Sequence, residues 1–399
     1  MYLFLLFPIF LVVYATHRLT RNHEVKMFLW IAAALAYFYA VLPPTMDAYR
    51  LFHVFQESEW NDLFQSYMSS HTDKDFLFPL LSIVFKSVGL DFFCLRFLLL
   101  FSCFLILYGI LRDILKKNEL LSSSHTLTNC SILLLFFSVK CLQNVYGIRF
   151  ATGEFFVLAG CYCICERKYL TGCAALAFAI SMHFSLYVYV GILLLSFLLG
   201  KIRLTRTVKI VLPVICLLLS HNLTLLQDVP LLSNFVFMVE GYLSGYWYET
   251  EVSMGTVIFN FFKAMPFFVL YFIFIVTPDR KDVWTRCVFL VSLLVFLVFN
   301  YWSIRLRFVE VATLFLLINY LLTVENLAFW KKAFPCILIA FFCIQSCFFY
   351  AFRREIFYAR NLVYWTSPAF FAVEPIYDEE WIGEKLDSKG EWIGDEVSQ

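Results

Sequence analysis

Charge is what this chain has least of. Only 15% of its 399 residues are Asp, Glu, Lys or Arg, and the formal net charge is +1. Nothing there attracts a polyanion globally, and no basic stripe interleaved with aromatics runs along the chain, so nucleic acid is not an expected partner. The patterns G-x-x-x-x-G-K-[ST], G-x-G-x-x-G and H-E-x-x-H are also missing. Without them ATP hydrolysis, dinucleotide redox chemistry and zinc proteolysis have no carrier, and no cofactor is expected. Long polar loops contain none of the thirteen cysteines, which all fall within or beside apolar runs and read as small buried hydrophobes. Cys161, Cys163 and Cys165 alternate on an expected helix, point to different faces and cannot chelate one metal together. A basic leader and a small-residue cleavage site are lacking from the first sixteen residues, which predicts a retained first helix and not a signal peptide.

Apolar surface is what the chain has in excess: 61% of residues are hydrophobic and the mean hydropathy is +0.77. A helix crossing a hydrocarbon core of about 30 Å needs roughly 20 apolar residues, so the length allows about a dozen spans with short loops. Apolar runs place them near 2–16, 27–42, 92–111, 127–143, 149–165, 169–183, 184–200, 210–222, 256–276, 287–300, 308–323 and 333–350. The expected fold is therefore all-α, a polytopic integral membrane protein of about 12 transmembrane helices. Its membrane domain would fill 1–350, with outer loops at 43–91 and 223–255, and 351–399 would form an acidic, aromatic tail outside the membrane.

Orientation follows from lysine and arginine, which accumulate in cytoplasmic loops. With the N-terminus outside, the inner loops collect Arg18, Arg21 and Lys26, then Arg112, Lys116 and Lys117, then Arg167 and Lys168. Lys201, Arg203, Arg206 and Lys209 follow, then Arg280, Lys281 and Arg286, then Lys331 and Lys332, whereas 223–255 holds no lysine or arginine. Segment 76–90, broken by Pro79 and Lys86, is predicted to lie at the outer interface as an amphipathic helix, because a crossing there would turn every later basic loop outward. The tail repeats a short unit, Glu380-Trp381-Ile382-Gly383-Glu384 and Glu391-Trp392-Ile393-Gly394-Asp395. Interfacial anchoring through the tryptophans and a free tail both fit it.

Polar groups at membrane depth are costly, so those that remain are candidates for function. They gather on the expected outer side. Asp47, with Tyr49 and Arg50, follows the second span directly; its carboxylate can take a proton from a sugar hydroxyl or serve as a helix cap. Arg149 stands in the first turn of an apolar helix, where a cation is disfavoured unless an anion meets it. A pyrophosphate clasped by its two donors is one reading, and snorkelling to the interface is the other. His183, in the hairpin Met182-His183-Phe184-Ser185, can act as a base, donate to a phosphate, or be a satisfied interfacial residue. Arg305 and Arg307 fall in the expected short outer loop before the 308–323 span, and in an extended backbone both would point to one side. In the 223–255 loop, Glu240, Glu249 and Glu251 mix with Tyr242, Tyr246, Trp247 and Tyr248, a composition suited to carbohydrate or to an ordinary interfacial belt. Asp73-Lys74-Asp75 has a D-x-D spacing too common by chance to assign a metal.

Taken in order, these features resemble the EpsG and O-antigen polymerase (Wzy-type) proteins. The resemblance rests on Asp47 to Tyr49, on Asp75 to Gly89, on Ile148-Arg149 with Gly153, on His183-Phe184-Ser185 and on Arg305 to Phe308, and it covers about residues 1–330. Arg149 and Gly160 also fit an Arg-x10-Gly spacing described for such polymerases. One departure is Leu42-Pro43-Pro44-Thr45, where the family often has Gly-Leu-Arg; Arg50 is the available substitute for that cation.

The resemblance implies a GT-C-like, polyprenol-dependent glycosyltransferase that works without a metal at the outer face of a bacterial inner membrane. Its donor and acceptor would be undecaprenyl-diphosphate-linked glycans, with membrane lipids around it and a chain-length regulator protein as a candidate partner. On this reading Arg149, Arg305 and Arg307 bind the departing diphosphate, Asp47 or His183 activates the acceptor hydroxyl, and Arg50, Tyr49 and Glu249 complete the substrate contacts. The rivals are a lipid-linked oligosaccharide flippase, an O-antigen ligase and a sugar acyltransferase, with a channel last because no ring-forming repeat is visible.

Overall fold

A computed structural model describes residues 24–40, 42–45, 47–60, 75–118, 131–132, 134–136, 138–140, 144, 146–200, 202–221, 254–323, 337–338 and 379–387. Among them every regular element is helical: α1 Glu24–Ala40, α2 Asp47–Glu57, α3 Leu77–Ser87, α4 Phe92–Lys117, α5 Ile148–Cys165 and α6 Tyr169–Met182. A 3-10 turn, Phe184–Tyr187, leads into α7 Val188–Leu198, followed by α8 Arg206–Leu219, α9 Met254–Val276, α10 Val283–Leu297, α11 Trp302–Thr323 and α12 Glu379–Lys385. Among the described residues three stretches, Phe92–Lys117, Ile148–Cys165 and Ile304–Thr323, are long and apolar enough to cross a membrane. The expected span at 2–16, most of those at 333–350 and 127–143, nearly all of the loop 223–255 and most of the tail lie outside the described residues. Within the tail, α12 covers the first copy of the repeated unit; Ile382 on it and Leu386 just after it are buried.

The helices pack into a bundle whose ends can be traced from their contacts. α1 packs along α4, α4 along α5, and α5 against α6 over the largest interface; α7 and α8 pack on α10, and α9 and α10 on α11. Arg149 at the start of α5 and His183 just past α6 lie at one end, because α5 and α6 form an antiparallel hairpin. The turn that closes this hairpin at the other end has Arg167 in the left-handed region at φ 62°. There the N–H of Lys168 reaches the Cys163 carbonyl at 2.8 Å and that of Arg167 reaches Ile164 at 3.0 Å, satisfying the last carbonyls of α5. The hairpin is tight because glycines face each other. A Cβ on Gly160 would stand 3.0 Å from the Gly172 carbonyl oxygen, and one on Gly172 would stand 2.9 Å from that of Gly160. The Gly160 that completed the Arg-x10-Gly spacing thus sets helix–helix approach.

Between α1 and α4 the chain holds short helices that begin and end at the His183 end. α2 places Ala48, Leu51 and Phe55 on its buried face, at the spacing of an amphipathic helix, and Phe52 and Phe55 meet Phe92 at 5.6 Å between ring centroids. α3 tolerates Pro79 because it sits in the first turn, where no intrahelical partner is needed. Gly89, at φ 75°, stops it: the N–H of Leu90 returns to Phe85 at 2.9 Å and that of Gly89 to Lys86 at 3.0 Å. The Lys86 ammonium then donates to the carbonyls of Gln56 at 2.6 Å and Ser58 at 3.0 Å, tying α3 to α2. Asp91 caps α4 by accepting from the Cys94 N–H at 2.9 Å.

Asp47 begins α2, in the first turn where a carboxylate suits the helix dipole. Two expectations are corrected. Arg305 and Arg307 stand in the first turns of α11, not in an extended loop, because helical hydrogen bonding has already begun with the Arg305 N–H donating to Tyr301 at 2.8 Å. The span expected at 210–222 starts at Arg206 and takes Lys209 into the bundle, where the ammonium donates to the carbonyls of Phe274 at 2.7 Å and Thr277 at 3.0 Å.

Candidate functional site

Four segments distant in sequence meet around His183. The α5–α6 hairpin sets the Phe150 ring edge-on to the imidazole, with centroids 5.3 Å apart at 89°. α11 brings the Arg307 guanidinium over that ring, 5.5 Å from its centroid. The segment before α3 contributes Asp75, whose carboxylate accepts from Arg149 Nη1 at 3.2 Å through Oδ2 and from the Phe184 N–H at 2.7 Å through Oδ1. Ser185 Oγ lies 2.8 Å from His183 Nδ1.

Burial pushes the His183 imidazole down to about 4, and the positive charges of Arg307 and Arg149 push the same way, while Asp75 and Asp47 oppose them. The imidazole is therefore neutral at neutral pH and able to accept a proton. Asp47, Asp75, Arg149, His183 and Arg307 thus share one electrostatic neighbourhood. Arg149 keeps 39% of its side chain exposed, so its guanidinium retains access to solvent and to a ligand while paired with Asp75.

Other expected site residues lie apart from this cluster. Arg305 is two positions from Arg307 on a helix, a rotation of roughly 200°, so the two point to opposite sides. Its Nη1 donates to the Phe299 carbonyl at 2.9 Å and its guanidinium sits 4.8 Å from the Phe299 ring centroid. Arg50 pairs with Asp47 on the surface, with 69% of its side chain exposed. Tyr49 stacks edge-on with His53 at 4.5 Å. Glu249, like Glu240, Glu251 and the aromatics of that loop, lies outside the described residues.

Asp75 is the partner that sequence reasoning passed over. In the sequence it reads as half of a D-x-D pair and as the start of the Asp75–Gly89 stretch, and neither reading pairs it with Phe184, 109 positions away; the available signal is its place directly before an amphipathic helix. A second unrecognised group lies one turn below. Glu154, four residues after Phe150, is 4% exposed with Oε2 unbonded among the described residues, and Lys140 pairs with Glu310 at 3.3 Å, three residues after Arg307. Before α2, the buried Arg96 of α4 donates to the Leu42 carbonyl at 2.6 Å. A guanidinium thus reaches the Leu42-Pro43-Pro44-Thr45 stretch. Among the described residues no three His, Cys, Asp or Glu side chains are grouped as metal ligands.

The arrangement offers two cations with different surroundings, a neutral imidazole and an apolar ring in one mouth of the bundle. Such a group can hold a phosphorylated ligand and receive a proton. Comparison with known proteins gives a match to the model of the EpsG family over residues 46–364, a stretch that includes the whole cluster. No curated protein and no solved structure matches the chain.

Proposed function

Since the chain belongs to the EpsG family, whose members are polysaccharide polymerase-type, we propose that it lengthens a surface polysaccharide by joining undecaprenyl-diphosphate-linked repeat units. The reaction would take place at the outer face of the bacterial inner membrane, in a GT-C-like domain of about twelve spans. Donor and acceptor are both lipid-linked glycans, and a chain-length regulator is the natural protein partner. The observation that carries this reading is the meeting of Arg149, Arg307 and His183 at one end of the helical bundle, with Asp75 holding Arg149.

In this mechanism the acceptor sugar hydroxyl attacks the anomeric carbon of the donor. A new glycosidic C–O bond forms, the bond from the anomeric carbon to the phosphate oxygen breaks, and its electron pair leaves on the diphosphate. Arg149 and Arg307 meet that charge, which fixed donors in a partly dry site can stabilise by about 2.7–4 kcal/mol per donor. The hydroxyl proton goes to His183. In the tautomer this step requires, Nδ1–H donates to Ser185 Oγ and Nε2 is the nitrogen that receives the proton. A base held near 4 is weak, but a diphosphate bound beside it adds negative charge and raises its proton affinity, so the substrate itself strengthens the base. Asp47, on the surface and paired with Arg50, is the lesser candidate.

Arg149→Ala tests the reading. Cells carrying it should display surface lipid capped by a single repeat in place of a long ladder, with the variant still present in the membrane; a wild-type ladder would remove Arg149 from the reaction. The same experiment separates the rivals, because a ligase defect leaves no capped lipid and an acyltransferase defect leaves full ladders of altered mass.

A further inference from the structure

The anion-binding features of the site already hold an anion, and it belongs to the chain. Arg149 Nη1 and the Phe184 N–H, the two donors best placed for a phosphate at this mouth, both point at the Asp75 carboxylate, at 3.2 and 2.7 Å. One oxygen faces each donor, as two oxygens of a phosphate would. The pair is not locked away: the Asp75 side chain is 21% exposed and that of Arg149 is 39% exposed, so rotation of Asp75 alone would free both donors. The contrast with Asp279 is direct. That carboxylate is 6% exposed and bonded to a guanidinium that is 1% exposed, the geometry of a permanent strut.

We infer that Asp75 is a resident stand-in for the substrate's phosphate, displaced when an isoprenoid diphosphate binds and returning to Arg149 and Phe184 to expel the spent carrier. This rests on the proposed diphosphate reading of Arg149. The need for such a group comes from the chemistry. The donor is a diphosphate esterified at both ends; once the sugar leaves, its terminal phosphate gains an ionisable oxygen, so the product is more negative than the donor. A site built of guanidinium groups therefore holds product more tightly than substrate. An internal carboxylate competing for the same two donors offsets that preference without weakening the arginines. Charge-assisted contacts of this kind are the strong ones, so the competitor has weight.

The test is binding of farnesyl diphosphate to the purified full-length protein in nanodiscs, by calorimetry, for wild type, Asp75→Asn, Asp75→Glu, Arg149→Ala and the Asp75→Asn/Arg149→Ala double variant. Removing the competing charge should tighten binding about tenfold in Asp75→Asn and slow steady-state polymerisation through retained product. Asp75→Glu, which restores the charge, should return affinity toward wild type. Arg149→Ala should abolish the gain in the double variant. If Asp75→Asn binds as wild type does or more weakly while Arg149→Ala is impaired, Asp75 is a positioning strut and the inference fails with the diphosphate reading intact. If Arg149→Ala alone binds as wild type does, the diphosphate reading itself fails. Asp75→Ser serves as the second charge-free variant should Asp75→Asn not fold, and it carries the same expectation.

Discussion

At one end of the bundle, Arg286 and Asp279 are joined by two contacts, at 2.5 and 3.1 Å, with 1% and 6% of their side chains exposed; at the other, Arg149 and Asp75 share one contact at 3.2 Å with 39% and 21% exposed. The first pair is densely bonded, although Arg286 Nε has no hydrogen-bond partner among the described residues. Arg286 also donates to the Ile202 carbonyl at 2.5 Å, and Asp279 accepts from the N–H groups of Leu204 at 3.0 Å and Lys281 at 3.2 Å. Burial would raise the Asp279 carboxyl, but Arg286 and those two N–H groups outweigh it and hold it below the usual carboxylate range. Three chain segments are pinned there: the turn after α7, the turn after α9 and the start of α10. At the His183 end the same residue types are left with spare capacity. The difference teaches how the bundle divides its charges: the buried, multiply bonded pair holds helices in register, and the more exposed pair at the His183 end keeps access to solvent.

The largest effect expected from this division is on folding. Removing one partner of a buried pair leaves the other charge uncompensated, at a cost of about 3–5 kcal/mol, so Arg286→Ala should deplete folded protein and lower its thermal midpoint sharply in detergent. Arg149→Ala should change that midpoint little, since an ion pair this exposed contributes at most about 1 kcal/mol. Equal midpoints for the two variants would break the comparison.

A smaller and more discriminating effect lies in pH. The His183 imidazole is held at about 4 in the folded chain, below its ordinary value near 6.5. Between those values the unfolded chain binds the extra proton, so the contribution of His183 to stability is full above about 6.5, falls as the pH drops, and levels off below 4. His183→Gln should flatten that part of the stability curve measured from pH 7 to 4. Asp279 acts at more acid pH: its folded value lies below the unfolded one of about 3.9, so its contribution is full above that and is lost on further acidification. A His183→Gln curve parallel to wild type would place the imidazole in solvent and remove the electrical neighbourhood from which the base was inferred.

Much of this division was legible in the sequence. The apolar runs located helices such as α4, α5, α6 and α9, and the basic loops gathered Lys117, Lys168 and Arg286 at one end, leaving Arg149, His183 and Arg307 at the other. Hidden were the returns of the chain. Asp75 meets Phe184 across 109 positions, and no local pattern encodes such a register. Lys209 and Arg286 read as loop cations because composition penalises a buried charge, yet carbonyls at the ends of neighbouring helices satisfy them. Gly160 was noticed for its spacing from Arg149, while its physical task, the close approach to Gly172, needs the partner helix to be seen.

Arg305 carries the smallest predicted effect and the sharpest distinction. Read as an extended segment, Arg305 and Arg307 would reach one ligand together. On a helix they diverge by roughly 200°, and each finds a different aromatic ring, Phe299 for Arg305 and Phe150 for Arg307. Of the two, Arg307 is the one that acts on His183. Arg305→Met should therefore lose a cation–π contact and one hydrogen bond, about 1 kcal/mol of stability, while farnesyl diphosphate affinity and glycan length stay within about twofold of wild type. Arg307→Met should weaken that affinity clearly. Equal losses in the two variants would mean that the first turns of α11 open in the membrane and that both guanidinium groups serve the ligand after all.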